Sequence, residues 1–131
     1  MIKIYYKTTG CSTLKSVRNW LDKRNLPYQL EKTANITRPE LIQMLSLSTK
    51  GFEELLVQRT EHSKLIQRQL AQCSTSTMID YCLKDYKLLR EPITLDDKKL
   101  LVGYNADEIR MFMPRTKELP KLALRFNINN K

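Results

Sequence analysis

The chain has 131 residues, 41% of them hydrophobic, and a formal charge of +9 at neutral pH. That length suits a single domain, 1–131, with one real core, and no apolar run reaches the eighteen residues a membrane-spanning helix needs. Eleven Lys and Arg stand against six acids over residues 1–65 and twelve against eight over 66–131, so the positive excess is diffuse and no basic arm marks a dedicated nucleic-acid binder.

In chain order, Ile2, Ile4 and Tyr6 alternate with Lys3 and Tyr5 and predict a strand, broken at Thr8-Thr9-Gly10. There is no charged-then-apolar leader before it. A helix is expected from Ser12 to Arg24, with Leu14, Val17, Trp20 and Leu21 on one stripe and Asn25 and Pro27 ending it. Tyr28 to Glu31 then forms a second strand, parallel to the first because a helix connects them.

From Ile36 to Leu89 the spacing is helical throughout. Thr37 caps a helix with Pro39 in its first turn, Glu40 three residues on, and Leu41, Met44 and Leu45 inward. Thr49-Lys50-Gly51 interrupts it, a short helix follows with Leu55 and Leu56, and a third runs from Glu61 to Leu70 with Leu65, Ile66 and Leu70. After the polar break Ser74-Thr75-Ser76, the positions Met78, Ile79, Cys82, Leu83 and Tyr86 predict an amphipathic helix. Beyond Pro92 the period returns to two: Ile93 and Leu95, a turn at Asp96-Asp97-Lys98, then Leu100 and Val102, a hairpin. Asn105 caps a helix with Ile109, Phe112 and Met113 inward, Pro114 stops it, and Leu119, Leu122, Ala123 and Phe126 suggest a last helix before a loose tail. The order is that of a thioredoxin-like α/β fold: a mixed four-stranded sheet with a helical insertion, about 36–89, between strands 2 and 3.

Cys11 falls where the first turn meets the first helix, and there the orphan amides and the helix dipole favour an anion, with Lys7 and Lys15 acting in the same direction. The third position after it is Leu14, so no local resolving thiol exists. A plain helix-start cysteine, a sensing thiol and a turnover nucleophile all remain open. Cys82 lies on an apolar stripe and reads as core; Cys73 reads as a surface thiol. An odd, widely spaced set of three cysteines suits a reducing, cytoplasmic setting. His62 is the only histidine and has no metal-ligand spacing around it, so neither metal nor cofactor is expected.

IYYKTTGCSTLKSVRNWL at the start, Leu-Leu-Arg-Glu-Pro-Ile at 88–93 and Leu-Val-Gly-Tyr-Asn-Ala-Asp-Glu-Ile-Arg at 101–110 resemble the Spx family of Gram-positive transcription regulators, which shares its fold with the arsenate reductases. The resemblance spans the whole chain. It implies a non-enzymatic stress-response regulator that binds the C-terminal domain of the RNA polymerase α subunit and touches promoter DNA only jointly with polymerase, with a protease adaptor as a further partner and no membrane. Gly51 matches the family's contact glycine, with Ser46, Thr49, Lys50, Glu53 and Glu54 as neighbours; a glycine there bares backbone to a partner, although a helix C-cap is the structural alternative. Arg90 is then the candidate for an anion pocket.

Three departures from the family pattern follow. Leu14 removes the second sulfur of the redox switch, Glu91 stands where an anion-binding Arg is expected before Pro92, and Gly10 follows two threonines in a turn usually built with proline. A carboxylate at 91 would repel an oxyanion. Val57-Gln58, Glu91 and Val102-Gly103 likewise replace the arginines with which an arsenate reductase holds its substrate, so thiol oxidoreduction through Cys11 is the alternative function and not the leading one. The Glu91–Pro92 bond is expected to be cis, as in thioredoxin-like folds. A helix-turn-helix within 37–89 is disfavoured because the charges gather on no one helix.

Overall fold

The computed structural model describes residues 1–57, 61–70 and 72–114. The helix expected around Leu119 to Phe126 and the tail lie outside them.

Four strands form one mixed sheet in the order β2-β1-β3-β4. β1 (Ile2–Tyr6) runs parallel to β2 (Tyr28–Lys32), in register from Ile2 opposite Tyr28 to Tyr6 opposite Lys32. A parallel pair needs a crossover, which α1 (Ser12–Lys23) supplies. On its other edge β1 pairs antiparallel with β3 (Ile93–Leu95), Tyr5 opposite Ile93, and β3 pairs antiparallel with β4 (Leu100–Val102). Asp96 makes the β3–β4 turn: its Oδ1 accepts the N–H groups of Lys98 and Lys99 at 2.8 Å each.

Between β2 and β3 come α2 (Arg38–Leu47), α3 (Phe52–Leu55), α4 (Glu61–Leu70) and α5 (Thr75–Lys84). The capping box on α2 forms in full. Ser74 caps α5, so the polar stretch expected as a break is the helix start, and its Oγ accepts from the Thr77 amide at 3.2 Å. Short 3-10 turns at Thr33–Asn35 and Tyr86–Leu88 flank this insertion, and another, Glu108–Phe112, follows β4.

The sheet is covered on both faces. On one, Ile2 and Ile4 of β1 and Leu101 of β4 meet Leu14, Val17, Trp20 and Leu21 of α1, with Ile109 and Phe112. On the other, Tyr5, Ile93, Leu95 and Leu100 meet Leu41 and Met44 of α2, Leu55 of α3, and Ile79 and Cys82 of α5. Residues of alternate parity along β1 therefore serve different cores, and every residue of β3 is buried.

Four expectations are corrected. Residues 108–112 are 3-10 and not α-helical: Asn105 Oδ1 accepts the Asp107 and Glu108 amides at 2.8 and 3.0 Å, which holds the start tight, and Pro114 allows only one further turn. Met113 then falls outside the turn and is 39% exposed. Tyr86 belongs to its own 3-10 turn, because α5 ends at Lys84. Leu65 on α4 is exposed, while the side chains of its companions Ile66 and Leu70 lie outside the described set.

Candidate functional site

The fold stitches two groups of expected site residues together through the segment that leads into β3. The first is the loop between α2 and α3. Ser48 ends α2, and Gly51, with φ +65° and ψ −136°, is the N-cap of α3. It is thus not the helix C-cap considered from the sequence: the bend after Ser48 has already closed α2, and the chain needs a left-handed residue to enter α3. The Gly51 amide donates to Ser48 Oγ at 3.0 Å, and Glu54 reaches back so that its Oε1 accepts from the Thr49 and Lys50 amides at 3.0 and 3.4 Å. Glu54 is therefore the clasp of this loop. A Cβ built on Gly51 meets nothing within 4 Å, so the glycine faces open space. Ser46, Thr49, Lys50 and Glu53 are exposed around it, Ser46 with its hydroxyl on the Gln43 carbonyl at 2.7 Å.

The second group surrounds the β1–α1 loop. Cys11 is the N-cap of α1, with extended backbone and no capping bond from its side chain, and its thiol is partly exposed against the α1 core. The Glu91–Pro92 peptide is cis, as expected. Glu91 is turned onto the loop: its Oε1 accepts the Lys7 and Thr8 amides at 2.9 and 3.0 Å, and the Thr8 hydroxyl donates to Oε2 at 3.5 Å. An open cleft of about 520 Å³ runs past it, lined by Lys7, Thr13, Val57, Arg90, Glu91, Val102, Gly103 and Tyr104. The three segments singled out for an oxyanion cage, at 57, 91 and 102–103, do converge here, with Gln58 outside the described residues. Lys7 donates from Nζ to the Lys87 carbonyl at 3.2 Å.

Arg90 links the two groups. Its guanidinium donates to the Glu54 carbonyl at 3.4 Å, its amide to the Leu55 carbonyl at 2.8 Å, and the Val57 amide donates to Leu88 at 2.7 Å around the Leu56–Leu89 bridge. The end of α3 is thus sewn to the segment that carries Glu91. None of these links was foreseen, since a sequence separation of 36 residues between Arg90 and Glu54 leaves no local pattern.

Cys73 is exposed and Cys82 fully buried, where burial, with a smaller contribution from Asp85, pushes the thiol up to about 11. Among the described residues no His, Cys, Asp and Glu cluster could hold a metal, and no helix is long and apolar enough to cross a membrane.

The ArsC family model matches residues 6–112. Among curated proteins the chain is 30% identical to the global transcriptional regulator Spx of Streptococcus agalactiae, covering 96% of each, and 32% identical to that of Lactiplantibacillus plantarum, covering 86% of each. Among solved structures, an ArsC family related protein from Bacteroides fragilis superposes with a TM-score of 0.70 at 20% identity, over 84% of this chain and 95% of that one.

Proposed function

The chain belongs to the ArsC/Spx family, and from that membership we propose that it is a cytoplasmic transcription regulator that docks on the C-terminal domain of the RNA polymerase α subunit through the loop at Gly51. Relatives about 30% identical over most of the chain carry the name of global transcriptional regulators, which supports the regulatory reading over an enzymatic one. The observation that carries the docking surface is Gly51 itself: a left-handed residue in open space, on a loop held by Ser48 and Glu54. Such a loop offers bare backbone in a prearranged shape, so a partner spends little ordering it. Ser46, Thr49, Lys50 and Glu53 are its rim, and Glu54 acts from behind by holding the shape. In this reading promoter DNA is met jointly with polymerase, stress genes are the targets, and a protease adaptor is a further partner.

The test is a pull-down of purified α C-terminal domain with wild type, Gly51→Arg and Gly51→Ala. Both variants bear the backbone strain of a side chain at positive φ, about 1–3 kcal/mol, but only arginine adds bulk. Loss of about 30-fold or more in affinity with arginine, beyond that with alanine, is the expected hot-spot result. Equal binding of arginine and wild type sinks the docking surface.

Thiol oxidoreduction remains the second reading, favoured by the partly exposed Cys11 at a helix start. Arsenate or glutathione-disulfide turnover that disappears in Cys11→Ser would establish it in place of the first.

A further inference from the structure

We propose that the β1–α1 loop is an anion cradle that this chain fills with its own Glu91 carboxylate, so that Glu91 determines what the neighbouring cleft admits. Two consecutive backbone amides, those of Lys7 and Thr8, converge on Oε1, and the Thr8 hydroxyl reaches the other oxygen. Successive N–H groups aimed at one point make a concave patch of partial positive charge, the donor set that takes a sulfate or phosphate oxygen. Hydrogen bonds to an ionised acceptor are roughly twice as strong as neutral ones. The walls carry the same sign, since Lys7 and Arg90 line the cleft that opens on Glu91, and Thr13 and Tyr104 add hydroxyl groups.

The group that occupies the cradle is covalently attached. The pairing of β3 with β1 holds Glu91 next to the loop, so its effective concentration at the two amides is far above that of a dissolved ion. An incoming oxyanion must first displace that carboxylate from both amides. The native chain therefore takes no small oxyanion at this place, and shortening residue 91 vacates it. The inference goes beyond the regulatory reading and is independent of it: a failed pull-down leaves it standing, and its own failure leaves the pull-down unaffected.

The test titrates inorganic sulfate, with chloride at matched ionic strength as control, into the isotope-labelled full chain and follows the Lys7 and Thr8 amide resonances. Wild type is expected to show no saturable shift. Glu91→Ala is expected to bind sulfate at least about tenfold more tightly than wild type, a difference of about 1.4 kcal/mol, with the largest shifts at those two amides. Glu91→Gln keeps an oxygen in the cradle without the charge and is expected to resemble wild type. Should the alanine variant not fold, Glu91→Ser takes its place. Saturable sulfate binding at these amides in wild type overturns the proposal, as does a folded alanine or serine variant that responds to sulfate no more than wild type does. Sulfate binding by Glu91→Gln as tight as by the alanine variant also overturns it, since repulsion and not occupancy would then be the cause.

Discussion

Three thiols in one chain meet three environments. Cys82 is buried on α5 and its thiol lies well above its ordinary value of 9.0, at about 11, chiefly through burial. Cys73 is exposed, its Sγ 3.7 Å from the Gln69 carbonyl, and Cys11 is partly exposed at the start of α1. Native-state alkylation followed by mass spectrometry should label Cys73 and Cys11 and leave Cys82 untouched until denaturant is added; labelling of Cys82 at the rate of Cys73 would contradict its packing. The same shift makes stability fall in alkali. The unfolded thiol ionises first, so the stabilisation is complete below about 9 and is lost as pH rises towards about 11. Tyr5, raised above its usual 10.0 mainly by burial and then by Glu40, adds a loss in the same direction. Urea midpoints measured from pH 8 to 11 should therefore decline, and less steeply in Cys82→Ala. The opposite fates of Cys82 and Cys73 were legible as an apolar stripe and a polar stretch. The hold of Glu91 on Lys7 and Thr8 was not, because it spans more than 80 residues and exists only once β3 has paired with β1.

Helix ends show where a short motif suffices. The Thr37-x-x-Glu40 spacing announced the capping box on α2, and both halves form: Glu40 Oε1 accepts the Thr37 amide at 2.9 Å, and the Glu40 amide donates to Thr37 Oγ1 at 3.4 Å. The other oxygen of Glu40 accepts the Tyr5 hydroxyl at 2.6 Å, tying α2 to the central strand, which no local pattern announced. Burial pushes the Glu40 carboxyl up, but hydrogen bonds from Tyr5 and Thr37 outweigh it and the net shift is downward. We expect Tyr5→Phe to cost about 1 kcal/mol and Glu40→Ala about 2 kcal/mol, since it removes a cap and the tyrosine's partner together. The double variant should cost less than their sum, read from urea unfolding. By contrast, Arg38 pairs with Asp80 at the surface between α2 and α5, and Asp80→Ala should change stability by under about 1 kcal/mol. Where the motif was ambiguous, length decided. An Asn cap followed by apolar residues fits α and 3-10 geometry equally, and the short run before Pro114 took the tighter form.

Charge acts on the scale of the whole molecule. With +9 divided over both halves, the chain presents a diffuse positive field that speeds encounter with an acidic partner more than it tightens the complex. If the proposed docking holds, stopped-flow association with the α C-terminal domain should slow severalfold between about 50 and 200 mM salt, with little change in dissociation; the reverse pattern would place the charges inside the interface. The parallel first pair, the hairpin and the helix insertion were readable because period and connection length restrict the choices, whereas the assignment of β1 residues to two cores was not: alternation predicts one wet face, and the helices after β2 supply the cover that buries Tyr5. Leu41 and Val17 lie in different cores on opposite sides of the sheet, so the losses from Leu41→Ala and Val17→Ala should add to within about 0.5 kcal/mol. A body partitioned in this way lets substitutions against α2, α3 and α5 leave the packing around Leu14, Val17 and Cys11 undisturbed, because the wall of strands stands between them.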